Sequence, residues 1–150
     1  MATFTDPIVL IITTSLAVQI AVLFMLVYGY LLKRKQKYRQ HGLIMATALI
    51  VHLTVILLVM IPSFVYSILP DYIQTSPTEV VSIVGLIHGI AGPLTAALGI
   101  WLVAAWHFKK DINSCFGRKK VMLTTISLWM ITLILGVILY SLLIGPLLAS

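Results

Sequence analysis

Four long apolar stretches dominate this sequence of 150 residues. They cover approximately residues 7–32, 42–69, 80–106 and 121–148. A helix rises about 1.5 Å per residue, so about 20 apolar residues cross a hydrocarbon core about 30 Å thick. Each stretch is longer than that, and the first also exceeds the apolar core of a signal peptide. The pattern therefore predicts an all-α, integral membrane four-helix bundle, with residues 1–150 forming a single transmembrane domain.

The composition supports a membrane protein and excludes several other classes. Apolar residues make up 61% of the chain and charged residues 9%, whereas globular proteins average about 45–50% and about 25%. So few charges cannot form the polar surface of a soluble enzyme, a nucleic-acid-binding domain or a disordered chain. We therefore expect membrane lipids around the chain and no nucleic-acid partner.

The basic residues predict how the helices are oriented in the membrane. All ten Lys and Arg lie in the connections between the first and second stretches and between the third and fourth. By the positive-inside rule these two basic loops are cytoplasmic, and both termini lie on the outer side. Asp6, Asp71 and Glu79 fall on that predicted outer side. The sequence thus predicts a multi-pass protein of a cell or organelle inner membrane, and this topology accounts for the net charge of +6.

Prolines and tryptophans give smaller signals. Pro7 is a suitable first residue for the first helix, where the missing N–H costs nothing. Pro70 is expected to end the second helix, because a proline ring clashes with the preceding turn. Trp101, Trp106 and Trp129 are interpreted as part of the aromatic belt at the membrane interface.

Four histidines are the main candidates for chemistry. His52 and His88 lie within the second and third stretches, and His41 and His107 lie at their predicted cytoplasmic ends. An ionisable residue at membrane depth is costly and is a functional candidate by default. The alternative is a neutral imidazole that forms a structural hydrogen bond. The residue pattern leaves both interpretations open.

Helical periodicity places two of these histidines on one face of the second helix. His41 and His52 are eleven residues apart, which at about 100° per residue leaves them only about 20° apart around the axis. Met45 and Ala48 fall on the same face. One face of the second helix therefore presents two imidazoles at different depths.

Small residues surround the third-helix histidine. Gly85 and Gly92 flank His88, and Gly99 shares its face. Such residues either allow close helix packing or leave room for a flat cofactor. The sequence does not distinguish these two uses.

Two imidazoles from facing helices can hold the iron of a single haem b. His52 and His88 form the first candidate pair for this haem iron. His41 and His107 form the alternative pair, which matches better in depth but worse in facing direction.

Other metal or catalytic chemistry has little support. Cys115 is the only cysteine, so an internal disulfide or a cysteine-based metal site is excluded. No Asp or Glu lies within a predicted span, and Gln19 is interpreted as the donor or acceptor of an interhelical hydrogen bond. No catalytic residue is predicted, and we expect no enzymatic activity from the chain on its own.

Three segments resemble a known group of membrane proteins. The first segment, residues 116–140, matches in its basic run and in five later positions: Arg118-Lys119-Lys120, Thr125, Trp129, Gly136, Val137 and Tyr140. The second segment matches in His41 and Met45. The third matches in His88, Ala91 and Pro93. Over about residues 38–143 the chain thereby resembles the CtaM/YozB-like four-helix family associated with haem–copper oxidase assembly. The resemblance implies a role in oxidase assembly. His52 and His107 have no counterpart in it.

Two functional hypotheses follow. The first is a small haem-binding, b-type cytochrome-like subunit that takes part in respiratory electron transfer with other subunits of a membrane redox complex or as a homodimer. The second is a non-catalytic accessory or assembly subunit of an oxidase-type complex, with structural histidines. A small transporter or channel is disfavoured, because the sequence has no detectable inverted repeat and no charged residue within its spans.

Overall fold

The computed structural model describes the backbone of residues 7–109 and 119–149, with side chains for 7–106 and 119–146. Within these residues the structure is all-α, and its four long helices are packed as a bundle. They are α1 (Pro7–Arg34), α2 (Tyr38–Ile73), α3 (Val80–Lys109) and α4 (Lys119–Ala149). All four are long and apolar enough to cross a membrane, as the sequence predicts.

The second helix is longer than expected at both ends. It begins at Tyr38 and continues through Pro70 to Ile73, so the prediction that Pro70 ends this helix is wrong. The reason is a wider backbone turn, in which the N–H of Gln74 donates to the carbonyl of Leu69, five residues earlier. A wider turn moves the preceding carbonyl away from the proline ring, so the helix continues where a regular α-helix would stop.

A short turn joins α1 to α2. Gln36 adopts a left-handed conformation with φ of 59°, and its N–H donates to the carbonyl of Lys33 at 3.0 Å. Lys37 donates to the carbonyl of Leu32 at the same distance. These bonds satisfy the last carbonyls of α1 and reverse the chain direction, so α1 and α2 form an antiparallel hairpin.

The bundle consists of two such hairpins, because α1 packs mainly on α2 and α3 mainly on α4. Between the hairpins, side chains of α2 lie against glycines of α3. A Cβ built on Gly89 would lie 2.8 Å from the Phe64 ring, and one built on Gly99 would lie 2.9 Å from Leu49. The other close glycine contacts between α2 and α3 are Gly85 with Ile68 and Gly42 with Trp106. Gly85, Gly89 and Gly99 therefore serve close helix packing, whereas a Cβ on Gly92 would meet nothing within 4 Å.

Polar side chains lie inside the bundle, and large apolar side chains face outward. Ile8, Phe24, Leu58 and Tyr66 are each more than two-thirds exposed in the absence of lipid. The buried polar residues are Gln19, His41, His52, Ser82, Thr95, Thr125 and Thr132. This distribution suits a helix bundle in hydrocarbon, where polar groups are satisfied by one another rather than by water.

The basic residues that the structure describes at helix ends lie at one end of the bundle. Lys33, at the end of α1, reaches the start of α4, where its Nζ donates to Met122 Sδ at 3.6 Å. Trp106, near the end of α3, contacts Gly42, near the start of α2. The assignment of this end to the cytoplasm remains a prediction from the charge distribution.

Candidate functional site: buried imidazoles between the helices

The buried threonines need no ligand to explain them. Thr95, Thr125 and Thr132 each donate to the carbonyl four residues earlier in their own helix, at 2.8 Å in every case. This bond satisfies a hydroxyl at membrane depth without a partner helix. Candidate chemistry in the bundle interior therefore rests with Gln19 and the histidines.

His52 is the most deeply buried of the described histidines, with 2% of its surface exposed. Its Nδ1 lies 2.8 Å from Oε1 of Gln19 on α1. Because the amide oxygen can only accept, the ring proton is on Nδ1 and the lone pair is on Nε2. The ring also lies against Trp129 of α4, with centroids 4.3 Å apart and planes tilted by 41°. His52 thus connects α2 to both α1 and α4.

Two polar atoms in this pair lack a partner. Gln19 Nε2 and His52 Nε2 are both buried and form no hydrogen bond. Gln19 is itself only 4% exposed. An unsatisfied donor and an unsatisfied acceptor at membrane depth are unusual and call for an explanation, such as a bound water or ligand.

His88 has a different environment. Its Nδ1 lies 3.1 Å from the backbone carbonyl of Thr132 on α4. Its Cε1 lies 3.1 Å from where a Cβ on Gly136 would be, so the absence of a side chain at Gly136 leaves space for the ring. Trp129 and Thr132 are three residues apart, so His52 and His88 approach the same face of α4 about one turn apart.

His41 forms the third imidazole contact. Its Nδ1 lies 2.7 Å from the carbonyl of Gly29 on α1, and the residue is 6% exposed. Met45 reaches the same place, because its Sδ lies 3.1 Å from where a Cβ on Gly29 would be. Since His41 and His52 both bond to α1, the prediction that they share one face of α2 is confirmed.

The side chain of His107 lies outside the described residues. Its pairing with His41 is therefore a sequence prediction that the structure does not test.

Both imidazoles of the first predicted haem pair contact α4. His52 lies against the Trp129 ring, and His88 occupies the space beside Gly136. A cavity of about 90 Å³ includes His41 in its lining but neither His52 nor His88, whereas cofactor sites enclose about 300–1,000 Å³. His52 Nε2 could serve as a donor to a haem iron, but neither imidazole of the pair lines this cavity.

The glycines of α3 also bear on the haem hypothesis. Gly89 packs against Phe64 and Gly99 packs against Leu49, both on α2, while Gly99 also lines the cavity of about 90 Å³. Within the described residues, no group of three or more His, Cys, Asp or Glu could hold a metal ion. Of the two uses that the sequence left open for small residues here, close packing explains these contacts.

Sequence reasoning missed two features of this region. Trp129 is not part of an interfacial belt: it is 6% exposed and belongs to the buried core with Val22, Leu26 and Ala48. Its position about three turns into α4 was the available signal for depth. The interhelical bond predicted for Gln19 is present, but nothing in the residue pattern indicated His52 as its partner.

Comparisons with protein-family models, curated proteins and solved structures find no match to this chain. Its assignment as a small four-helix membrane protein therefore rests on the four helices themselves.

Proposed function

We propose that this protein is a non-catalytic accessory or assembly subunit of a larger membrane complex, in which the buried histidines are structural. One observation carries the proposal: each of the three described imidazoles, at His41, His52 and His88, uses Nδ1 for a hydrogen bond to a neighbouring helix. Such bonds fix helix positions and account for the presence of polar side chains in the bundle interior.

The surroundings of the imidazoles support a structural role. No Asp or Glu lines the cavity, so it lacks the carboxylates that commonly serve acid–base chemistry. The outward faces of the four spans carry large apolar side chains, which can contact lipid or the helices of another membrane protein. A subunit of this kind acts through helix contacts.

The partner class comes from the family resemblance. His41 with Met45, and His88, are the positions that match the CtaM/YozB-like pattern, which implies an oxidase-type complex. In the structure the first two residues meet at Gly29 and His88 lies against α4, so the matching positions are all interhelical contacts.

The test is the amount of assembled oxidase in the membranes of cells that lack the protein. We expect the reduced-minus-oxidised absorbance of the oxidase haems to fall and to return when the parent gene is restored. Blue native electrophoresis should show the chain migrating with oxidase subunits. Unchanged oxidase content in the deletion strain would contradict the assembly role.

A haem-binding subunit is the second candidate, and the unpartnered Nε2 of His52 favours it. The discriminating variant is His52→Asn, because an asparagine amide can replace the Nδ1 donor to Gln19 but offers nothing in place of Nε2. The structural proposal expects no Soret band in the protein purified after haem-supplemented expression, and a higher folded yield for His52→Asn than for His52→Ala. A Soret band in the parent that both variants lose would favour haem binding, with His88→Asn testing the second ligand.

A further inference from the structure

The cavity of about 90 Å³ lies near the basic end of the bundle, where all four helices contribute to its wall. Five aliphatic side chains and two glycines form part of the wall, including Leu26, Leu49 and Val103. The exceptions with donor atoms or aromatic rings are His41, Met45, Met122, Thr125, Trp106 and Trp129. One imidazole and two thioethers therefore face a single small space.

His41 is held in the way that metal-binding histidines usually are. Its Nδ1–H donates to the Gly29 carbonyl at 2.7 Å, which fixes the tautomer and leaves the lone pair on Nε2. Histidines that bind metals almost always donate their other nitrogen to a carbonyl or carboxylate in this way. The free nitrogen of His41 is thus already prepared for a ligand.

The two methionines that line the cavity come from different helices. Met45 follows His41 by one helical turn, so both side chains lie on the same face of α2, and its Sδ lies beside Gly29. Met122 belongs to α4, and its sulfur accepts a hydrogen bond from Lys33 at 3.6 Å. This bond engages one lone pair of the thioether sulfur and leaves the other.

The donor set determines which ion suits the cavity. Thioether sulfur is a soft ligand that favours Cu(I), whereas hard divalent cations prefer the carboxylate oxygens that this cavity lacks. The indole of Trp106 also lines the cavity, and aromatic rings attract cations. All these ligands are neutral, so binding Cu(I) releases no proton and requires no redox step.

We propose that His41, Met45 and Met122 form a binding site for one Cu(I) ion. This inference goes beyond the assembly proposal and does not depend on it: His41 keeps its structural bond to Gly29 through Nδ1 and binds the metal through Nε2. Lys33 competes for the Met122 sulfur, and on metal binding its ammonium group moves to the aqueous interface, which a lysine at a helix end reaches readily. Lys33→Gln should therefore bind Cu(I) more tightly than the parent does.

The test is an anaerobic Cu(I) titration of the full chain, purified in detergent without an affinity tag, against the chromophoric chelator bicinchoninate. We expect one equivalent to bind and to quench tryptophan fluorescence. The double variant Met45→Leu/Met122→Leu should lose about 100-fold or more in affinity, because it removes two direct ligands and the loss of a group that only supports a ligand already costs about 10- to 100-fold. Met130→Leu is the matched control, because Met130 belongs to α4 but does not line the cavity.

Two further variants complete the test. His41→Asn keeps a donor for the Gly29 carbonyl but removes Nε2, so it should lose affinity while the helix content by circular dichroism stays at the parent level. Cys115→Ser should bind Cu(I) like the parent, which separates the proposed site from the one thiol in the sequence. The proposal is overturned if the parent binds no Cu(I), if the double variant binds it as tightly as the parent, or if Cys115→Ser abolishes binding. Since leucine matches methionine in size, the double variant should fold even if His41→Asn does not.

Discussion

His52 and His88 lie in different hairpins and illustrate two ways to place an imidazole inside a membrane bundle. His88 bonds to the backbone carbonyl of Thr132, which is present whatever the side chain at that position. His52 bonds to the side chain of Gln19 and leaves two buried polar atoms without partners. The first arrangement is locally satisfied, and the second depends on one particular residue on another helix.

Of these two imidazoles, the more deeply buried one is also the one that depends on a single partner side chain. His52 is 2% exposed and lies against Trp129 in the region of the buried core, whereas His88 is only partly buried. A polar group that loses its partner costs most where neither water nor a spare carbonyl can replace it. Substitutions of His52 and His88 should therefore lower the free energy of unfolding by different amounts.

The largest effect is expected for His52→Ala. It removes the ring that packs on Trp129, leaves a void, and deprives Gln19 of its remaining hydrogen bond. We expect a loss of about 3–5 kcal/mol in the free energy of unfolding, the range for deleting a large buried side chain. Unfolding by sodium dodecyl sulfate in mixed micelles measures this value.

The matched substitution His88→Ala should lower the free energy of unfolding by about 1–2 kcal/mol. The loss is smaller because the Thr132 carbonyl loses only its bond to the imidazole. Equal losses at His52 and His88 would remove the distinction between the two sites.

A smaller effect is expected at Gly136, which makes room for His88. Gly136→Ala would place a Cβ 3.1 Å from Cε1 of that ring, and the required shift should cost about 1 kcal/mol. Thermal unfolding in detergent can detect the loss, which should disappear in the His88→Ala background.

Gly145→Ala is the control for this substitution, since it lies on the same helix and a Cβ there meets nothing within 4 Å. This control should be neutral or slightly stabilising, because alanine favours helix over glycine. If Gly136→Ala lowers the unfolding temperature equally in the His88→Ala background, the His88 ring is not the group that the new Cβ meets.

The smallest effect is the coupling between Gln19 and His52. In a double-mutant cycle with Gln19→Leu and His52→Leu, we expect a coupling energy of about 0.5–1.5 kcal/mol, as for other hydrogen bonds between membrane helices. The loss of stability in the double variant should be smaller than the sum of the losses in the two single variants, because neither polar side chain is left unpaired. Additive losses in the same unfolding assay would mean that the bond does not contribute to stability.

Part of this architecture could be predicted from residue patterns. The number of helices follows from apolar length, and the shared face of His41 and His52 follows from their spacing. The continuation of α2 through Pro70 could not be predicted, because no residue type in this segment requires the wider backbone turn. The burial of Trp129 was likewise missed, because aromatic residues are common at both membrane interfaces and helix contacts.

Apolar length alone predicts a four-helix membrane protein here, because crossing a bilayer requires only sufficient length and apolar content. The pairing of Gln19 with His52 and of Thr132 with His88, and the packing of Gly89 and Gly99 on side chains of α2, are visible only in the folded bundle. The physical reason is that lipid and helix interfaces are equally apolar, so hydrophobic periodicity does not show which face meets which helix. That choice depends on how side chains fit together once all four helices are in place.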